Sequence, residues 1–215
     1  MTTNALVLAS DIIEQAQQSG RRAGTSLEAI ASEQGDETML AVLTEMDILT
    51  VAKIVREHDA TIPSIATWLM DAESIKQLLN VEPSYWQNMD EDHVFCAQTE
   101  AHSLLTQILL SSDDEEKQLE VLNAIVEDDF GLLYLSLPFV GHDFSEIEED
   151  EEQTSGSIEE LLMKIKSLSE EAYREVMTVS TNGTLENIES SLKQNANKQR
   201  VTAVEMDTDD MFAPL

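Results

Sequence analysis

Scarcity of glycine and proline is the feature that most limits what this chain can fold into. Only 7 of its 215 residues are Gly and 4 are Pro, so the many tight turns of an all-β protein are not available. The apolar residues are mainly Leu, Ile, Val, Met and Ala, and only 5% of the chain is aromatic. Straight-chain aliphatic side chains lose little rotamer freedom in a helix, whereas sheets draw on aromatic and β-branched residues. The sequence therefore predicts an all-α protein.

An irregular multi-helix bundle is predicted over residues 1–140, because apolar residues recur there at helical spacing. A first helix over residues 4–18 is expected to stop at Gly20. Residues 37–57 have apolar side chains almost all round, which is typical of a single central helix. Residues 130–140 fit either a buried helix or a short strand, and the lack of a second convincing strand favours the helix.

Beyond the bundle, composition predicts an acidic flexible linker, a helical segment and a tail. Self-repulsion and low apolar content are expected to keep residues 141–157 extended, which makes them the best domain boundary. Residues 158–199 are predicted to form a heptad helix or a helical hairpin. The heptads run to residue 179, which is the lower limit for a coiled coil, so an intramolecular partner is as plausible as a second chain. Residues 200–215 are predicted to be a disordered acidic-apolar tail.

Charge is the most unusual property of the composition. The chain has 43 Asp and Glu against 12 Lys and Arg, a formal net charge of −31. Between Lys76 and Lys164 the only basic residue is Lys117 against 22 acids, so residues 77–163 carry 1 − 22 = −21. Such a chain repels phosphate backbones and anionic membranes, so we expect no direct nucleic-acid or membrane binding and a protein partner with a basic surface instead.

No motif in the chain supports catalysis, a cofactor or a metal. Four histidines stand without metal-binding spacing, and the His-Asp dipeptides at His58 and His142 lack the further ligands of a phosphohydrolase. Asp129-Phe130-Gly131 matches the metal-binding tripeptide of kinases, but no phosphate loop accompanies it. The single cysteine, Cys96, excludes an intramolecular disulfide and lies among apolar residues as an inert thiol. With no signal-peptide n-region and no run of 18 apolar residues, we expect a non-enzymatic cytoplasmic protein.

Two segments are candidates for partner binding inside the chain. The acidic run over residues 143–152 fits a linker that keeps the protein soluble. It also fits a binding segment that attracts a basic partner by charge, because apolar residues alternate with its acids. The heptad positions of residues 158–179 are candidates for self-association or partner docking. The candidate residues of these two segments are Phe144, Ile147, Glu148, Glu149, Ile158, Leu161, Ile165 and Leu168.

The C-terminal residues are a third candidate. Asp209 and Asp210 are followed by Met211 and Phe212, and residues 205–215 resemble the acidic-apolar tip with which bacterial single-stranded-DNA-binding proteins recruit partners. The final Ala-Pro-Leu departs from that pattern. A frayed tail and a docking motif are equally compatible with these residues.

These observations favour a non-catalytic, protein-binding adaptor, chaperone or assembly scaffold that engages a basic or grooved partner. Small acidic helical proteins of this composition occur among phage and bacterial assembly and regulatory factors. The alternative is a nucleic-acid mimic that inhibits a DNA- or RNA-binding protein with carboxylates on rigid helices. The acids at residues 113–116 and at Asp128 and Asp129 would then matter most.

Overall fold

A computed structural model of the chain describes residues 2–58, 65–83, 97–110, 114–144 and 156–210, with the backbone alone from residue 199 onward. These described residues form helices and contain no strand, which confirms the predicted all-α fold. The helices up to residue 81 are α1 (Thr2–Gln18), α2 (Gly20–Gln34), α3 (Asp36–Thr44), α4 (Ile48–Glu57), α5 (Ile65–Leu69) and α6 (Ala72–Val81). They are followed by α7 (Ala97–Leu110), α8 (Glu115–Val126), α9 (Asp129–Ser136), α10 (Ile158–Leu168), α11 (Glu170–Asn182) and α12 (Leu185–Asp210).

Short polar side chains set most of the helix starts. At each capped start, a side-chain oxygen accepts a hydrogen bond from a backbone N–H that has no partner within the helix. The capping residues are Ser19, Asp47, Asp71, Asp114, Asp128, Ser157 and Ser169. Four of the seven are aspartates, whose negative charge is also favourable at the positive end of the helix dipole.

The segment predicted as one central helix over residues 37–57 is two helices, so that prediction was wrong. α3 ends at Thr44, and Asp47 begins α4 by accepting hydrogen bonds from the backbone N–H of Thr50 (2.9 Å) and from its hydroxyl (2.6 Å). The cap at Asp47 offers the backbone an alternative to continuing the helix. As a result, the apolar residues of this segment are divided between two helices.

Two glycines bring α2 and α4 together. Gly20 begins α2 rather than ending α1 in a turn, and its N–H donates to Glu57 Oε2 at 2.6 Å. A Cβ on Gly20 would lie 2.6 Å from the carbonyl oxygen of Lys53, and one on Gly24 would lie 2.5 Å from Nδ1 of His58. A Cβ at Gly20 would therefore meet the backbone of α4, and one at Gly24 would require the ring of His58 to move.

Residues 130–140 form the helix α9 and then a 3₁₀ turn, Leu137–Phe139, which confirms the preference for helix over strand. Pro138 lies in the 3₁₀ turn, where the missing N–H interrupts no α-helical ladder. Tyr134, Leu135 and Phe139 are fully buried, so this short stretch forms the centre of the second half of the fold.

The helices after the acidic run pack onto those before it. α10 contacts α7 and α8, α11 contacts α9, and α12 contacts α6 and α9. The predicted heptad helix over residues 158–179 is not continuous. Ser169 has an extended backbone (φ −155°, ψ 111°) and caps α11 by accepting from the N–H of Ala172. α12 continues to Asp210, past the expected end of the helical segment at residue 199, since no Gly or Pro interrupts residues 185–210.

Buried residues from both halves of the chain belong to one hydrophobic cluster, which includes Ile12 and Val42 as well as Leu122, Leu161 and Val176. The acidic linker itself lies largely outside the described residues, which end at 144 and resume at 156. Among the described helices, none has the length and apolar content needed to cross a membrane.

Candidate protein-binding surface

The heptad residues proposed for docking lie in the core of the chain itself. Leu161 and Ile165 are fully buried, and Ile158 and Leu168 are half-buried against the same cluster. Their partners are α7, α8 and α11, so the structure brings these four residues together through intramolecular packing. In this conformation Leu161 and Ile165 present no surface to a second chain.

Of the residues proposed in the acidic run, the structure describes Phe144. Phe144 is half-buried, with its ring centroid 6.0 Å from that of Phe139 in an edge-to-face arrangement. It also stacks on His142 at 5.7 Å. Phe144 is therefore attached to the core at the point where the described residues stop. Ile147, Glu148 and Glu149 lie outside the described residues.

The proposed residues of the tail are divided between the end of α12 and the final residues. Asp209 and Asp210 form the last turn of α12. Met211 and Phe212 lie outside the described residues. The structure therefore places the two acids on a helix that begins at Leu185, and it leaves the docking role of the tail as a prediction.

The carboxylates considered for nucleic-acid mimicry lie at opposite ends of α8. Asp114, Glu115 and Glu116 stand at its start, and Asp128 and Asp129 follow its end. The twelve residues of α8, which include Glu115 and Glu116, span about 18 Å. Most of these acids already have partners within the chain, since Asp114 caps α8 and the Glu115 carboxylate lies 3.6 Å from Lys164 Nζ. Asp128 caps α9 and also accepts a hydrogen bond from Asn80 at 3.1 Å.

An apolar cleft that the sequence analysis did not identify opens between α3, α4 and the start of α6. Its volume is about 190 Å³. The apolar side chains that line it are Leu40, Leu43, Met46, Ile48, Val51 and Met70. Leu40 is 43% exposed and Ile48 is half-buried, whereas the other four are buried. The cleft therefore has an apolar floor and an exposed leucine at its edge.

The acids at the border of this cleft are one lining residue, Asp71, and three neighbours of lining residues. Glu45 and Asp47 are exposed and stand in sequence between the lining residues Thr44, Met46 and Ile48. Glu73 accepts on its Oε1 a hydrogen bond from the side chain of the lining residue Gln77 at 3.3 Å. The remaining lining residues are Thr44 and Ser74, so none of the described residues that line the cleft is Lys or Arg.

The basic residue nearest this border in sequence is already paired. Lys76 Nζ lies 2.7 Å from Glu73 Oε2. Hydrogen bonding to Lys76 and then to Gln77 lowers the pKa of Glu73, and the bond to Glu73 raises the pKa of Lys76. The Glu73 carboxylate is therefore ionised at neutral pH. The charges of Asp128 and Glu127 also raise the pKa of Lys76.

A buried ion pair lies on the other side of α4. The guanidinium of Arg56 donates to Glu82, which follows α6, and both side chains are almost fully buried. Burial raises the pKa of Glu82 to about 7, against the opposing effect of Arg56. Burial, followed by the charge of Glu82, also raises the pKa of Tyr134. The adjoining cleft, which Glu100 also lines, has a volume of about 40 Å³ and accepts water but not an organic substrate.

Two of the described histidines contact other side chains of the fold. His58 ends α4, and its Nε2 lies 2.8 Å from Glu28 Oε1 on α2. His142 stacks on Phe144. Within the described ranges, no group of three or more His, Cys, Asp or Glu side chains is arranged to hold a metal ion.

One sequence signal marks the apolar cleft. The spacing Asp47-x-x-Thr50 is that of an N-cap followed by a hydroxyl residue at the third helical position. If this N-cap is recognised in the sequence, it divides residues 37–57 into two helices and places the exposed residues Thr44 and Glu45 at the corner between them. The exposure of Leu40 has no such signal, because its apolar neighbours in sequence are indistinguishable from core residues.

Two family models match most of the chain. Residues 1–69 match the AtcB N-terminal domain, and residues 72–207 match the AtcB C-terminal domain. A relative from Shewanella oneidensis, Adaptation to cold protein B, is 33% identical over 158 residues. That match covers 69% of this chain and 63% of the relative, so it spans less than two thirds of the relative's length. No solved structure matches the chain. The family models divide the chain between residues 69 and 72, whereas composition placed a boundary at residues 141–157.

Proposed function

The chain belongs to the AtcB family, and we propose that it is a non-catalytic, protein-binding adaptor, chaperone or assembly scaffold with a role in growth at low temperature. The role in cold comes from the name of the relative, Adaptation to cold protein B. The adaptor role comes from the surface of the chain. Both parts are open to direct experiment.

One observation carries the proposal: the chain combines a large excess of acids with exposed apolar side chains. Since it has 43 acids and 12 basic residues, 43 − 12 = 31 acids are in excess of the Lys and Arg that could neutralise them. Large apolar side chains are exposed at Leu6, Val7, Leu40 and Leu119. A basic partner would be attracted by the carboxylates and then held by apolar contacts, which salt does not screen.

The same surface supports an adaptor better than a nucleic-acid mimic. A mimic needs rows of free carboxylates on a rigid face, but Asp114 and Asp128 cap helices and Glu115 lies beside Lys164. The exposed face of α8 does carry Glu116 and Glu120, yet Leu119 lies between them. An apolar side chain in that position contributes to binding a protein surface and has no counterpart in a phosphate backbone.

The first test is a tagged capture from the native host, grown cold and warm, with chemical crosslinking and washes at low and high salt. We expect a stoichiometric protein partner that is more abundant in cold-grown cells and survives high salt. A nucleic-acid enzyme that moderate salt releases would support mimicry instead. No partner at either temperature, together with unimpaired growth of a deletion strain in the cold, would refute the proposal.

A further inference from the structure

We propose that the apolar cleft between α3, α4 and α6 is the docking site for a partner segment that carries one large apolar anchor flanked by Lys or Arg. This inference rests on the adaptor function proposed above and assigns it to a particular surface. The argument depends on the size of the cleft, its lining and its charge.

Size limits the occupant to one large side chain. An apolar cavity of about 150 Å³ accepts a benzene molecule, and this cleft has a volume of about 190 Å³. It therefore has room for the ring of Phe or the side chain of Leu or Met. It is too small for a folded domain to enter, so a partner would insert an anchor and rest on the border.

The residues that line the cleft favour binding of an apolar side chain that a partner supplies. Leu40 is 43% exposed beside the buried residues Leu43 and Met46, so covering it would remove further apolar surface from water. Met46 and Met70 lie in the wall of the cleft. Methionine side chains are unbranched and adaptable, and they are common on surfaces that accept anchors of different shapes.

Charge selects the residues that flank the anchor. Asp71 lines the cleft, Glu45 and Asp47 are exposed neighbours of lining residues in sequence, and no Lys or Arg is among the described lining residues. The segment between Arg22 and Lys53 contributes six acids and no basic residue. A Lys or Arg beside the anchor would therefore meet carboxylates, whereas a second copy of this chain, at −31, would be repelled.

The test is selection from a displayed library of random 15-residue peptides against the full-length protein, followed by affinity measurements on purified variants. Two substitutions probe the cleft, Leu40→Ala for apolar contact and Glu45→Lys for charge. Each has a matched control on the exposed face of α8, Leu119→Ala and Glu120→Lys, which change the same groups on a helix that does not line the cleft. Circular dichroism checks that every variant is folded.

We expect selected peptides to combine a Phe, Leu or Met with neighbouring Lys or Arg. Leu40→Ala is expected to weaken their binding about tenfold, because a covered leucine loses most of its apolar contact. Glu45→Lys is expected to weaken it about threefold at low salt and less at high salt. The two α8 variants are expected to bind the peptides as the unmodified protein does.

Three results would overturn the docking site: no enriched peptide, enriched peptides without basic residues, or binding that Leu119→Ala weakens as much as Leu40→Ala. The adaptor function would survive any of these if the native partner is still captured from cold-grown cells. Conversely, peptide binding at the cleft with no native partner in those cells would refute the adaptor function and leave the chemistry of the cleft intact. The adaptor function and the docking site can therefore be refuted independently of each other.

Discussion

Replacing Glu82 with Gln removes the carboxyl group that lies buried between α4, α6 and α7 beside Arg56. Burial raises the pKa of Glu82 to about 7 from an ordinary value of 4.5. Between these two values the folded protein holds a proton that the unfolded chain releases, so this group stabilises the fold most below pH 5 and loses that contribution as pH rises through 7. From pH 5.5 to 8.0, the loss corresponds to about 2 kcal/mol of unfolding free energy.

The assay is urea unfolding at several pH values between 5.5 and 8.0 for the unmodified protein, Glu82→Gln and Glu120→Gln. General repulsion within a chain of net charge −31 also reduces stability as pH rises, but it acts on all three proteins. The unmodified protein and Glu120→Gln, which neutralises an exposed acid on α8, are therefore expected to lose about 2 kcal/mol more than Glu82→Gln across this window.

Arg56 makes the outcome informative. Its guanidinium favours the ionised form of Glu82, whereas burial favours the neutral form, and a pKa near 7 means that burial is the stronger effect. The other titratable groups that face this pair are Glu100 and Tyr134. The raised pKa of Tyr134 keeps it neutral throughout the window. Parallel stability curves for the unmodified protein and Glu82→Gln would refute the reasoning, because they would mean that Arg56 keeps Glu82 ionised at every pH tested.

Three further predictions concern packing. Leu161→Ala is expected to reduce the unfolding free energy by about 2–5 kcal/mol, since Leu161 is fully buried. The control Leu119→Ala is expected to change the unfolding free energy by no more than about 0.5 kcal/mol. If Leu161→Ala instead changes the light-scattering mass without loss of stability, self-association would be supported. Gly24→Ala is expected to cost about 1–3 kcal/mol in urea unfolding, because the new Cβ would meet the imidazole that ends α4. Asn80→Ala removes the acceptor of the Asn195 side chain (3.1 Å) and is expected to speed hydrogen exchange in α12; unchanged exchange would mean that apolar contacts alone hold that helix.

The fold class could be predicted from the sequence because it depends on composition and spacing along the chain. Few glycines and prolines, aliphatic residues at helical spacing and capping residues all act locally, so they predict helices wherever they occur. The same reasoning identified Leu161 and Ile165 as members of one apolar face. Periodicity does not reveal which surface covers such a face, so a second chain and α7, α8 and α11 were equally compatible with it.

The candidate site depended on distances that the sequence does not encode locally. Arg56 and Glu82 are 26 residues apart, and with 43 acids in the chain nothing in the sequence indicates which one meets Arg56. Leu40 was placed in a buried central helix because the break at Asp47 was not recognised. Once α3 and α4 are separate helices, the apolar face of each is narrower, and Leu40 falls on the exposed side of α3.

The helix α4 connects the two features that distinguish this surface. Val51 lines the apolar cleft, and Arg56, five residues later and about 7.5 Å along the helix axis, pairs with Glu82. α6 has the same arrangement, since Ser74 and Gln77 line the cleft and Glu82 follows its last turn.

The family models meet between residues 69 and 72, so both features join the two family domains. A segment that docks in the cleft would contact residues of both domains, and the buried contact between Arg56 and Glu82 opposes movement of α4 against α6. The lining of the cleft is therefore complete only when α6 is packed against α3 and α4.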